Sequence, residues 1–171
     1  MTPRPILAHL EQHGVPFTHR GHPFAISAQH VAEKAHISGF RLAKTVVLQV
    51  DGRLSLAAIP APCRVDLQRL AALLGAREVR LMREAEFVSR FPGCEAGAEP
   101  PFGSLYGAPV LMDEALREQA RIAVNDGTHD ALLELPTPEF ERMERPFVAS
   151  FAVLPERPTA PLDAELPSAH A

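Results

Sequence analysis

The stretch Ala43-Lys44-Thr45-Val46-Val47-Leu48-Gln49-Val50-Asp51-Gly52-Arg53-Leu54-Ser55-Leu56-Ala57-Ala58-Ile59-Pro60 carries the clearest folding instruction in the chain. Asp51-Gly52 is the turn chemistry that two-residue type I′ hairpins prefer, because both central positions need positive φ. The flanking runs are apolar enough to be buried on both faces, which predicts a hairpin inside a covered sheet. Pro60-Ala61-Pro62 ends the pair.

Lys44 is out of place in that hairpin. The chain has fifteen arginines and only two lysines, Lys34 and Lys44. Lys34 lies in a polar helical stretch. Lys44 opens the most hydrophobic strand. Lysine is a compact charge on a slim stem, and its pKa shifts readily on burial, whereas arginine is a bulky fork that stays charged. Lys44 is therefore the first candidate for chemistry or ligand binding, although a lysine can also snorkel from a strand end to water.

Working outward, Ile6 to His13 has helical spacing and stops at Gly14. Val15 to His19 reads as a short strand. Ser27 can cap a helix to about Ala35, with Val31 and Ala32 inward. Asp66 can cap a helix carrying Leu67, Leu70, Ala71 and Leu74 inward, with Gly75 as its αL stop. Arg77 to Met82 alternates as a half-exposed strand, and Glu84 to Phe91 reads as a short helix. Ala108 to Met112 is a strand, and Asp113 caps a helix to about Gln119. Arg121 to Val124 and Asp130 to Leu135 are strands around the turn Asn125-Asp126-Gly127. Pro138 opens a helix to Met143, and Phe147 to Leu154 reads as one last strand. Residues 1–154 are expected to form a single domain. Residues 155–171, with four prolines, read as a flexible tail. Interspersed strands and helices with a hairpin predict an α/β (α+β) fold, a mixed sheet or partly closed barrel flanked by helices.

Composition bounds the function. A net charge of −4 argues against broad binding to a polyanion, which needs many neutralised phosphates. It leaves room for a small basic mouth gripping one RNA end. Arg77, Arg80 and Arg83, near Arg64 and Arg69, read as a solvated face. No apolar run is long enough to span a bilayer, and the expected location is cytoplasmic. Cys63 and Cys94 are too few for a disulfide framework and read as free thiols. The pairs His19/His22 and His30/His36 match no zinc spacing. Neither metal nor cofactor is expected.

Gly97-Ala98-Glu99-Pro100-Pro101-Phe102-Gly103 suggests a rigid loop. Glycines let a ligand approach the main chain, and two prolines stiffen the middle. Such a loop could aim backbone N–H groups at a carbonyl oxygen or anion. An ordinary surface turn has the same punctuation. Three further pieces stand with it in order: Lys44, the Ala58-Ile59-Pro60-Ala61 hairpin end, and Gly127-Thr128-His129.

On these motifs, with Arg64-Val65-Asp66-Leu67 and Val110-Leu111-Met112-Asp113, the chain resembles the YbaK/ProX family of freestanding aminoacyl-tRNA deacylases, similar to the editing domain inserted in prolyl-tRNA synthetases. The resemblance covers roughly residues 4 to 150. It implies a curled, open-barrel sheet of six or seven strands with helices around it. It implies hydrolysis of the ester between a wrong amino acid and the terminal adenosine of a tRNA. The amino acid would be small, such as Ala, Cys or Ser, on tRNA(Pro) or a related tRNA. Lys44 and Gly97 correspond to the catalytic positions: the lysine holds the 3′ end and the glycine backbone positions the aminoacyl group. Thr45, Pro60, Ala98, Pro101, Phe102, Gly103, His129 and His22 are the implied substrate-binding residues. For His129, a hydrogen-bonded strand-end histidine is an equal reading. Where several members carry Ser before the loop proline, this chain has Pro100, which bears on the amino acid removed. Catalysis would rest on the tRNA ribose hydroxyl and a positioned water, consistent with the lack of a Ser-His-Asp order or nucleophile elbow. The implied partners are the aminoacyl-tRNA 3′ end and, as a candidate, an aminoacyl-tRNA synthetase, with neither DNA nor membrane. Two other readings stand beside it: a non-catalytic aminoacyl-tRNA or synthetase-binding module of the same fold, and a hydrolase of another small ester or amide.

Overall fold

The computed structural model describes residues 4–155, so all but the first residue of the expected tail lies outside the described residues. In chain order the elements are α1 (Pro5–Gln12), β1 (Thr18–Gly21), α2 (Ala28–Lys34), β2 (Ala43–Val50), β3 (Arg53–Pro60), β4 (Arg64–Val65) and α3 (Leu67–Leu74). Then follow β5 (Val79–Leu81), α4 (Glu84–Phe87), a 3₁₀ turn (Val88–Arg90), α5 (Gly103–Tyr106), β6 (Val110–Asp113), α6 (Glu114–Arg117), β7 (Arg121–Asn125), β8 (Ala131–Pro136), α7 (Thr137–Glu144), β9 (Phe147–Ala149) and β10 (Ala152–Val153).

The hairpin organises the main sheet. Strands β2 and β3 pair from Ala43 opposite Pro60 to Val50 opposite Arg53. Asp51 has φ +46° and Gly52 φ +84°, the two positive angles that a type I′ turn requires. The Asp51 carboxylate then accepts from the Arg77 and Glu78 amides at 2.9 and 2.8 Å, which brings β5 antiparallel alongside β2. On the other flank β6 runs parallel to β3, and β9 parallel to β6. The result is a mixed five-stranded sheet, β5-β2-β3-β6-β9, beside an antiparallel β1-β8-β7 sheet and a small β10-β4 pair. A parallel bridge from Leu42 to Ala123 of β7 joins the two larger sheets at one point, which leaves the barrel open.

Helices and sheets cover both faces of the main sheet. One core lies between the sheets, with Ala43, Ala58, Met112, Val124, Leu133 and Phe140 at its centre. On the opposite face, Leu48, Ala57, Ile59, Cys63, Leu70 and Phe151 form a second. Consequently β3 is buried without interruption from Leu54 to Pro60, whereas β2 is only partly so. Asp66 caps α3 by accepting from the Arg69 amide at 3.1 Å, and Gly75 ends it at φ +63°, as the sequence suggested. Asp113, 3% exposed, caps α6 through the Ala115 amide. It also accepts from Phe151 and Ala152 at 2.9 and 2.8 Å. That buried carboxylate splits the expected last strand into β9 and β10. Other differences are local. The first strand starts at Thr18 rather than Val15, and α6 stops at Arg117. Among the described residues six strands are four residues or longer, with four shorter ones beside them, in the expected mixed-sheet architecture.

Candidate functional site

Lys44 and Gly97 sit in two candidate half-sites. In β2, side chains alternate. Lys44 shares a face with Val46 and Leu48 of the second core, whereas Thr45 shares one with Ala43 and Val47. The Lys44 ammonium donates to the Cys63 carbonyl. It lines a cavity of about 430 Å³ with Ser27, Ala28, Gln29, Pro62, Cys63 and others. Burial lowers the Lys44 pKa, and the Cys63 thiol opposes that shift. The same burial raises the Cys63 thiol.

The second half-site is the Gly97 loop. Gly97 has φ +87°, and a Cβ there would stand 3.6 Å from the His129 ring. The His129 amide donates to Glu95 at 2.9 Å, and its Nε2 donates to the Ala96 carbonyl at 2.9 Å. A carbonyl can only accept, so Nε2 carries a hydrogen. His129 is thus hydrogen-bonded and stands beside Gly97. Below the loop, Glu99 is 4% exposed, and burial raises its pKa.

One expectation is overturned. The loop does not aim free N–H groups outward. The Gly97 amide donates to Glu99 Oε1 at 3.0 Å. The Ala98 amide donates to the Glu95 carbonyl, and Phe102 to Pro100. Two prolines supply none. Compact packing consumed the donors that the motif suggested were available.

The remaining implied residues separate by burial. Ala98, Pro101, Phe102 and Gly103 are buried. Phe102 packs edge-on against Phe140 at 5.2 Å. A Cβ on Gly103 would lie 2.0 Å from the Ala108 carbonyl oxygen. These four shape the loop from beneath, and only Gly97 of the loop is exposed. Pro60 is buried opposite Ala43, and Thr45 sits opposite Ala58. His22 is half-buried, bonded to the Pro23 carbonyl at 2.7 Å, and lines a separate shallow cavity with Arg20 and His36. No hydrogen bond joins the Lys44 and Gly97 half-sites among the described residues.

The segment between them escaped the sequence reading. The Ala25 amide donates to the His129 carbonyl at 3.0 Å, and the Phe24 ring meets His129 edge-on at 5.6 Å. Four residues on, Ala28 lines the Lys44 cavity. Between the half-sites, Phe24 and Ile26 stand 65% and 67% exposed. The alternation Phe24-Ala25-Ile26 was the available signal. Also missed was Asp126, 1% exposed. It accepts from Arg4 at 3.1 Å, His19 at 2.8 Å and the Thr128 amide at 2.9 Å, which fixes the loop carrying His129.

Among the described residues, no group of His, Cys, Asp and Glu could hold a metal ion, and no helix is long and apolar enough to cross a membrane. A serine–histidine contact does occur, Ser104 to His9 at 2.8 Å. The Ser104 hydroxyl donates to Glu144 at 2.5 Å and so accepts from His9.

Solved structures share this fold. One, proposed to be a trans-editing enzyme for prolyl tRNA synthetase, is 22% identical with a TM-score of 0.77, covering 88% of this chain and 96% of its own. A protein described only as hypothetical is 20% identical with a TM-score of 0.78, covering 87% and 99%. A proposed signal transduction protein from Marinobacter aquaeolei VT8 is 24% identical with a TM-score of 0.71. It covers 90% of this chain and 31% of its own length. At these identities the likeness establishes the fold. Residues 22–143, a span that takes in Lys44, Gly97 and His129, match the aminoacyl-tRNA editing domain, and the chain belongs to that family.

Proposed function

We propose that this protein is a trans-editing deacylase that hydrolyses the ester between a small amino acid, such as Ala, Cys or Ser, and the 3′ adenosine of tRNA(Pro) or a related tRNA. The observation that carries the reading is the continuous segment from His22 to Gln29. It bonds to His129 beside Gly97 at one end and walls the Lys44 cavity at the other. An aminoacyl-tRNA terminus has matching parts. Its phosphate suits the two cations that line that cavity, Lys44 and Arg64. Its aminoacyl group suits the Gly97 loop. Exposed Phe24 and Ile26 offer a face on which a nucleobase can stack.

The chemistry follows from what the side chains can and cannot do. Both thiols are raised by burial, so neither is a ready thiolate nucleophile. An aminoacyl ester is already activated, and positioning of the ester against a water or the ribose hydroxyl can supply most of the rate. Lys44 acts as a fixed charge that positions the substrate. Because the Gly97 and Ala98 amides are occupied, the loop contributes shape and carbonyl oxygens rather than an oxyanion hole. A synthetase partner would supply the wider tRNA grip that a chain of net charge −4 lacks. The test is release of amino acid from a panel of mischarged tRNAs. Activity on small esters that uncharged tRNA fails to compete would favour a different hydrolase.

A further inference from the structure

We propose that Glu99 is a positioning residue that sets the Gly97 loop as a hydrogen-bond acceptor, so that the site selects aminoacyl esters with a free α-ammonium and rejects N-acylated ones. The inference rests on the deacylase reading above and names the substrate class of the same site.

The amide donors of the loop are taken up within it. Glu99 Oε1 takes the Gly97 amide at 3.0 Å. The Glu95 carbonyl takes the Ala98 amide at 3.0 Å, and the Pro100 carbonyl takes that of Phe102 at 2.8 Å. Glu99 and Gly103 are buried, so their amides are out of a substrate's reach, and Pro100 and Pro101 have no N–H. From Ala98 to Gly103 the loop is buried, and Gly97 alone is exposed. The part of the loop a substrate can reach therefore has its donor occupied and its carbonyl as remaining polar group. An acceptor surface calls for a donor on the ligand. On an aminoacyl ester that donor is the ammonium.

The surrounding charge has the same sign preference. The Glu95 carboxylate is 53% exposed and lies 3.9 Å from His129 Nε2. Glu99 lies beneath, with Glu84, His129, Cys94 and Tyr106 as the titratable groups around it. Among these, only His129 can become a cation. Glu99 keeps an acceptor oxygen whether or not it is ionised, so the clamp on Gly97 survives in both states. Acylating the substrate nitrogen removes its charge and adds bulk at this point. Loss of one charge-assisted hydrogen bond is expected to slow cleavage at least about tenfold.

The test compares hydrolysis of one aminoacyl-tRNA and its N-acetyl derivative by the wild-type protein, Glu99→Ala and Glu99→Gln. The wild-type protein should favour the free amine by about tenfold or more, one charge-assisted bond. Glu99→Ala, which frees the Gly97 amide, should lose most of that preference, and Glu99→Gln, which keeps an acceptor, should retain it. Equal wild-type rates on both substrates overturn this proposal and leave the deacylase reading standing. No wild-type activity on either overturns that reading, and this proposal falls with it. A purely structural role would slow both substrates in proportion in Glu99→Ala, and an unchanged ratio overturns the proposal. Should Glu99→Ala fail to fold, the wild-type Gly97 amide must still be protected from hydrogen exchange, and rapid exchange there overturns the proposal.

Discussion

The ring of His129 lies 3.6 Å from where a side-chain carbon on Gly97 would stand. The distance is ordinary van der Waals contact, so space alone admits an alanine. The backbone does not welcome it, because Gly97 holds φ +87°. Gly97→Ala should therefore lose about 1 kcal/mol of stability from the left-handed conformation, seen as a Tm lower by a few degrees. Deacylation should fall further than that, because the methyl group covers the one exposed residue of the loop. Removing the ring with His129→Ala in the same chain should not restore activity, which steady-state kinetics on the double variant would check.

Lys44 separates stability from activity. Burial lowers its pKa, so the fold favours the neutral amine relative to the unfolded chain. The charge therefore costs stability at every pH below the folded pKa. That cost fades as pH rises from there to the ordinary value of 10.5. Lys44→Met should keep or raise the Tm at neutral pH, and its gain should vanish in alkaline buffer. Activity should drop by roughly 100-fold, the scale of a lost electrostatic contact in a catalytic site. Lys44→Arg, which keeps charge but changes shape, should recover little of it.

Asp126 anchors the loop that carries His129. Its carboxylate is the common partner of Arg4, His19 and Thr128. Asp126→Ala strands those groups and should cost about 3 kcal/mol, readable by urea denaturation. Activity should fall with it at temperatures where the variant remains folded, because the His129 contact with Glu95 loses its support.

Legibility followed the range of the interactions. The hairpin was readable because Asp51-Gly52 and its apolar flanks act within a few residues. The caps at Asp66 and Asp113 were readable for the same reason. The break of the last strand was not, because it depends on Asp113 reaching Phe151 and Ala152 across the fold. At the site, Lys44 and Gly97 stood out as residue types at odds with their surroundings. The occupied amides of the Gly97 loop could not be read from its glycines and prolines, since one blocking group is a side chain folded back from within the motif. Asp126 looked like a turn residue, and only tertiary structure supplied its partners.

Phe24 distinguishes a substrate-facing segment from a structural one. It is 65% exposed, so Phe24→Ala should shift stability by less than about 0.5 kcal/mol. If the ring stacks on a base of the tRNA end, KM should rise about tenfold with kcat little changed, in line with about 1–3 kcal/mol for one stacked base. Ile26→Ala should act in the same direction more weakly.

Amino acid release from a panel of mischarged tRNAs, read for the wild-type protein beside Lys44→Ala, tests the central claim most directly. The expected result is rapid release from a tRNA carrying Ala, Cys or Ser, lost in Lys44→Ala while its circular dichroism spectrum is unchanged. Release from none of the panel, or full activity in Lys44→Ala, would contradict the account.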